Sequence, residues 1–343
     1  MTLQNFKSVI ILFLVSATVF SCSKPARKGV PISVNLEKAV SVPFSSEDGV
    51  LLEEGFIGSV DDALMVDSAI VFKSGNELNC IHLTQNGSIK KLSRIGRGPG
   101  EYIQIWDFGL DENLLYLYDI DGKQILYFSL DGDFICSKRL SDLAADCPFQ
   151  AMIPAPWGKE YVGKRVFGMP DVPELSLYDD SFHYLDRLGK DDLRSGIKLW
   201  RQLYRGSDDD ILYCRYFSNE VLHVMRNDVS VKYSVDFINR NVPPSEDEYE
   251  ILEKLSKEQA KSRYATIMGQ MEETDDHFCF QFVTDARRLF AFYEKTTGRC
   301  RIYQPEVADQ DIEQLLFYHG ILYVISQDKD DSLWLYSKEL FPS

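Results

Sequence analysis

Three observations predict an all-β chain closed as a six-bladed β-propeller. Apolar hairpins recur six times along the 343 residues, Gly-containing turn pairs punctuate them, and aromatic residues are abundant, with 18 Tyr and 21 Phe. Aromatic and β-branched side chains suit a pleated, half-buried surface. Glycine after Asn or Asp accepts the positive φ of a tight hairpin. Roughly 320 residues shared among six units leave about 53 each, the size of a four-stranded blade with insertions. A lone blade cannot bury both faces, so blades stack around an axis. A β-sandwich, single or paired, is the competing architecture, because regularly spaced hairpins build it too.

In chain order, residues 1–21 form an export leader. Lys7 supplies positive charge, and Val9-Ile10-Ile11-Leu12-Phe13-Leu14-Val15 follows. That run is too short to span a bilayer, which needs about 20 apolar residues; it suits the apolar centre of a signal peptide. Val19-Phe20-Ser21-Cys22 resembles the lipobox of bacterial lipoproteins, with small Ser21 before the cysteine. The expectation is cleavage before Cys22 and lipid attachment to it. An ordinary signal peptide with a chance cysteine is the alternative. Residues 22–31 contain Lys24, Pro25, Arg27, Lys28 and Gly29 and read as a flexible, lipidated tether. Residues 32–343 read as a single propeller domain.

The first hairpin joins Ala69-Ile70-Val71-Phe72 to Cys80-Ile81-His82-Leu83, with Asn86-Gly87 beyond. The second joins Leu114-Leu115-Tyr116-Leu117-Tyr118 to Gln124-Ile125-Leu126-Tyr127-Phe128, and Asp131-Gly132 turns it into Phe134-Ile135-Cys136. A weaker third runs from Tyr161-Val162 to Leu175-Ser176-Leu177-Tyr178. The fourth pairs Val221-Leu222-His223-Val224 with Val229-Ser230-Val231-Lys232-Tyr233. Leu289-Phe290-Ala291-Phe292-Tyr293 and Cys300-Arg301-Ile302-Tyr303 make the fifth, around Thr297-Gly298. Ile321-Leu322-Tyr323-Val324-Ile325 and Leu333-Trp334-Leu335-Tyr336 make the sixth. An N-terminal strand near Ile32 to Val42 is expected to complete the last blade, since joining first and last blades removes an open sheet edge.

One segment departs from the β pattern. Ser245-Glu246-Asp247-Glu248 follows Pro243-Pro244 and fits a capping box. Leu252 and Leu255 then fall at helical spacing amid Lys, Glu, Gln and Ala. A short helical insertion at about 245–269 is therefore expected between blades four and five.

Arg94-Ile95-Gly96-Arg97-Gly98-Pro99-Gly100-Glu101-Tyr102 is the most distinctive stretch. With the strand at Leu115 and the turn at Asp131-Gly132, it resembles the six-bladed β-propeller lipoproteins of Bacteroidetes-type bacteria, relatives of NHL-repeat and TolB-like propellers. Where NHL blades carry Asn and Arg, this chain has Gly122 and Gln124. The resemblance implies fold and is nearly silent on activity, because sites are grafted on folds independently. Physically, the glycines allow a tight crossover, and Tyr102 can wedge between blades. An anion cradle of loop amides is the functional alternative.

The net charge of −16 disfavours nucleic acid as a partner. Beyond Cys22, the cysteines are expected to be mostly unpaired core residues, with Cys136 to Cys147 the one candidate bridge. His82, His183, His223, His277 and His319 form no ligand pair in sequence. Asp275-Asp276-His277 is the best local metal candidate, against a solvated turn. Asp208-Asp209-Asp210 and Asp328-Lys329-Asp330-Asp331 read as solvated turns, and Trp106, Trp157, Trp200 and Trp334 as core or sugar-stacking rings. No catalytic residue, metal ligand or cofactor is assigned. The favoured function is a noncatalytic binding or scaffolding propeller in the cell envelope, held by lipid on Cys22 in the outer membrane facing the periplasm. Its partner would be protein, peptide or glycan. The alternative is a hydrolase or lyase with a metal on the central axis.

Overall fold

A computed structural model describes residues 29–56, 58–67, 69–83, 88–92, 94–140, 149–165, 172–189, 201–215, 218–242 and 264–340. Within them lie six sheets of four or five strands and one two-stranded ladder. Each hairpin read from the sequence falls in a different sheet, so the chain is a six-bladed propeller and not a sandwich.

The innermost strands of blades 1 to 6 are Asp62–Val66, Ile105–Asp111, Phe149–Pro154, Leu203–Arg205, Thr266–Glu273 and Gln310–Tyr318. Each blade runs outward as an antiparallel meander. Two faces result. The crossover face carries the links between blades and the turns between second and third strands. The turn face carries the remaining hairpin turns.

The core is divided among the seams between blades. Tyr102, Phe108 and Leu117 close the seam of blades 1 and 2 with Val71 and Leu78. Tyr116, Tyr118, Phe149, Tyr161 and Phe182 fill that of blades 2 and 3. Phe278, Phe280 and Phe282 meet Tyr233 and Val235 between blades 4 and 5. Wedge-shaped seams suit large rings on radially splayed sheets, which is why aromatic content signals this fold.

The N-terminal segment is a strap across three blades. Strand β1 (Val30–Ser33) pairs in parallel with the outer strand of blade 4, Ile32 opposite Val235. Strand β2 (Val40–Phe44) does the same on blade 5, Val42 opposite Pro305. Strand β3 (Gly49–Glu53) pairs antiparallel with Leu333–Glu339 and supplies the outer strand of blade 6. The expected closure by residues near Ile32 to Val42 is therefore displaced: those residues augment blades 4 and 5, and β3 closes the ring. Ile32 and Val34 enter the seam of blades 4 and 5, and Val42 and Phe44 that of blades 5 and 6. Short 3₁₀ turns, Leu36–Lys38 and Ser46–Asp48, carry the strap from blade to blade.

Those 3₁₀ turns are the helices among the described residues. Most of the expected helical insertion, 245–263, lies outside the described residues. Its end is corrected: Ala265 bridges Asn241, and Thr266–Glu273 is the inner strand of blade 5. Helix-favouring composition fades after Ala260, and β-branched Thr266 and Ile267 favour strand. Residues 1–28, Cys22 included, also lie outside the described residues. No described helix is long and apolar enough to cross a membrane.

Candidate functional site

The central axis is spanned by polar side chains. Arg201, just before the inner strand of blade 4, reaches the opposite side of the ring, where Nη2 donates to Asp62 Oδ2 of blade 1 at 3.0 Å. The same nitrogen donates to the Phe108 carbonyl of blade 2 at 2.8 Å, and the guanidinium lies 4.8 Å from the Phe108 ring centre. Burial opposes the Arg201 charge, but Asp62 and Asp107 outweigh it and hold the group protonated. A second bridge comes from a bulge in blade 5, where Gly269 and Gln270 both adopt positive φ. The bulge aims Gln270 inward, and its amide donates to the Ala63 carbonyl at 3.0 Å. The Tyr204 hydroxyl accepts from Gln270 N at 2.7 Å and donates to the Arg201 carbonyl. Among the described residues no cluster here could hold an axial metal, and the carboxylates of Asp62 and Asp107 already face a buried guanidinium.

Beside the axis, the crossover end of the seam between blades 3 and 4 concentrates cations. Lys164 is fully buried and Arg165 nearly so, and Arg215 lies against Glu174 at 3.5 Å. Tyr213 donates to Glu174 Oε1. Burial is the largest influence on Glu174 and raises its pKa despite Arg215, Tyr213, Lys164 and Arg165. Arg165 Nη1 donates to the Val172 carbonyl and Arg215 Nε is ion-paired with Glu174 Oε2, but Arg165 Nε and Arg215 Nη2 are buried without hydrogen-bond partners. Buried donors left unpaired are costly, so this cluster has capacity for an anionic oxygen. Separately, an open groove of about 720 Å³ runs along the seam of blades 6 and 1, past Glu53, Gly58, Glu77, Asn79 and Lys91.

The signature loop is structural. Arg94–Ile95 pairs with Glu101–Tyr102, and fully buried Tyr102 wedges between blades 1 and 2, its hydroxyl on the Asn76 carbonyl at 2.7 Å. Glu101 fills the amide cradle itself, accepting from Gly98 N at 2.6 Å. Asp119 welds the loop to blade 2 by accepting from the amides of Ile103, Gln104 and Gly122. The departures from the NHL pattern have a local cause. A side chain at residue 122 would sit 1.9 Å from Asp119 Oδ2, and Gln124 bonds both Asp119 and the Glu101 carbonyl.

The other singled-out residues separate. His277 bonds Thr274 Oγ1 at 3.0 Å and stacks on Phe292, with Asp276 N also on Thr274, so this is a capped turn. Asp328 caps its turn through Asp330 N and Ser332 N and accepts from Trp334 Nε1. Trp157 donates to Glu160, Trp106 is partly buried in a seam, and Trp200 lies outside the described residues. His82 sits by Cys80, and His183 binds Asp179. His319 occupies a positive-φ turn. Cys80, Cys214 and Cys279 are buried free thiols, with Cys80 pushed up to about 11 and Cys214 to about 12 by burial. Cys136 is a free, exposed thiol, and Cys147 lies outside the described residues.

The solvated-turn reading fails at Asp210. This residue is fully buried, binding His223 Nδ1 at 2.7 Å and Lys232 Nζ at 2.9 Å. Lys232 also binds Glu273 at 2.8 Å, and Lys295 reaches Glu273 at 3.0 Å, tying blades 4 and 5 at the turn face. Sequence reasoning missed this network and the Arg201 bridge, because their members stand far apart in the chain. A lone Lys232 between Val231 and Tyr233 on a strand was the available signal.

Fold and axis together define a propeller whose centre is occupied by its own polar side chains. The chain belongs to the family described as 6-bladed beta-propeller (DUF5128), whose model matches residues 56–329. Among solved structures, it is similar to a protein of Bacteroides fragilis described as exported, with 15% identity and a TM-score of 0.63, covering 90% of this chain and 99% of that one. It is also similar to a DUF4221 family member from Bacteroides vulgatus, with 7% identity and a TM-score of 0.54, covering 84% and 95%. These likenesses concern the fold. No curated protein matches the chain.

Proposed function

We propose that this protein is a cell-envelope lipoprotein whose propeller acts by noncatalytic binding, taking a protein, peptide or glycan partner on the crossover face. One observation carries the binding reading: Arg165 Nε and Arg215 Nη2, buried without hydrogen-bond partners at the crossover end of the seam between blades 3 and 4. They favour a partner that presents a carboxylate or similar anionic group. Loops on a rigid scaffold are also the usual place for recognition. The test is an array of acidic peptides and uronic-acid oligosaccharides probed with the full protein. Paired Arg165→Gln and Arg215→Gln substitutions should weaken a captured partner about 10- to 100-fold, the worth of one or two charge-assisted bonds. Unchanged capture would overturn the assignment to this seam. Lactone or glycoside turnover lost on chelation would favour the enzyme reading instead.

The envelope part rests on the leader, the lipobox-like Cys22 and the fold-level neighbour described as exported. Cys22→Ala should release the protein from membranes and abolish labelling by a fatty-acid probe. Lys24, Arg27 and Lys28, in place of acidic residues, support an outer-membrane position facing the periplasm. Digestion of the propeller by protease added to whole cells would refute that orientation.

A further inference from the structure

We propose that the rim of blades 2, 3 and 4, at their outer turns, rests on the lipid bilayer that holds Cys22. The inference depends on the anchor proposed above and adds an orientation to it. The described chain starts at Gly29, packed against Val231 and Lys232 of blade 4's outer strand. Seven residue steps separate Cys22 from Gly29. A fully extended tether of that length spans at most about 25 Å. The bilayer surface therefore lies within about 25 Å of the rim of blade 4.

Exposed apolar side chains mark the outer turns of three consecutive blades that end at blade 4. Phe134 and Ile135 open the outer strand of blade 2, and Tyr184 and Leu185 that of blade 3. Met225 stands at the corresponding turn of blade 4. These five are 38 to 53% exposed. The matching turn of blade 5 is flanked by Glu294, Lys295 and Arg299 instead, so the apolar run stops there. Tyrosine and aliphatic side chains suit the headgroup boundary. The tether's Lys24, Arg27 and Lys28 suit anionic headgroups. In this orientation the mouth with Arg165 and Arg215 is left open.

The full acylated protein in vesicles of phosphatidylethanolamine and phosphatidylglycerol, doped with a lipid carrying a photoreactive acyl chain, tests this. Mass mapping should place cross-links at residues 134–135, 184–185 and 225, several-fold above those at Val50 and Leu51 on blade 6, which are exposed apolar controls. Ile135→Asp with Leu185→Asp should remove most of the signal while the circular dichroism spectrum stays unchanged. Cross-links spread evenly, or concentrated on blade 6, would overturn the orientation. The acyl mass on the N-terminal peptide reports the anchor separately. An acylated chain without the cross-link pattern sinks the rim contact alone, and an unacylated chain sinks both.

Discussion

Tyr102 shows how one side chain can join two blades. Its ring is fully buried in the seam of blades 1 and 2, and its hydroxyl binds Asn76. Tyr102→Ala should cost about 3–5 kcal/mol through the cavity it leaves, measured as a shift in urea midpoint at unchanged slope. A smaller test lies at Gly96, where an added Cβ would stand 2.1 Å from Glu101 Oε2. Gly96→Ala should destabilise by about 1–3 kcal/mol, the range for forced repacking, and Glu101→Ala in the same chain should recover part of that loss. The Arg201–Asp62 pair behaves differently, because both charges are buried. Asp62→Ala removes the buried guanidinium's ion-pair partner and should cost about 3–5 kcal/mol. The double replacement Asp62→Ala with Arg201→Met should be less damaging than Asp62→Ala alone. Additive losses in the cycle would show that the pair is not coupled.

At the scale of elements, the strap decides how the ring closes. β3 supplies the outer strand of blade 6, whereas β1 and β2 cover edges that are already complete sheets. Their contribution is apolar, since Ile32, Val34, Val42 and Phe44 are all buried in seams. Each such side chain is worth about 1.5–3 kcal/mol when fully buried. Removing residues 29–48 thus subtracts an amount comparable with the 5–15 kcal/mol stability of a typical domain. The truncated chain should lose its cooperative thermal transition by circular dichroism. A truncation that unfolds at the intact protein's midpoint would show the strap to be dispensable. Gly269 and Gln270 illustrate the opposite use of an element, where a bulge interrupts a strand to turn one amide toward the axis.

For the whole molecule, pH dependence reports the network that joins blades 4 and 5. Burial pushes Glu273 upward, but Lys232, Tyr233 and the Ser207 amide outweigh it and hold the carboxyl below its ordinary 4.5. A carboxyl depressed on folding contributes stability that is present above 4.5 and lost as pH falls through the folded value. Lys232 is raised above 10.5, so its share is present below that value and lost as pH rises through the folded one. The network is therefore intact between those limits. Stability should fall on acidification below pH 4.5, and Glu273→Gln should lower stability at pH 7 while flattening that acid limb. An acid limb of equal steepness in the variant would assign the loss to other groups. Glu174 carries the opposite sign, because burial raises its pKa.

The six blades were legible in the chain because a hairpin is a local object. Its two strands and its Asp-Gly or Thr-Gly turn lie within some twenty residues, and side-chain alternation marks the buried face. Tyr102 was legible for the same reason, as a large ring after a glycine-rich crossover. The strap was not, since parallel pairing to strands some 200 or more residues away leaves no turn signal, and Ile32 and Val42 look alike whichever blade they cover. Nor were Arg201 with Asp62, or Asp210 with Lys232 and Glu273, whose charges resemble ordinary solvated ones until the ring closes. Local pattern determines the repeating unit. Which charges are buried, and against what, is decided by closure, because desolvation and pairing depend on distances across the ring.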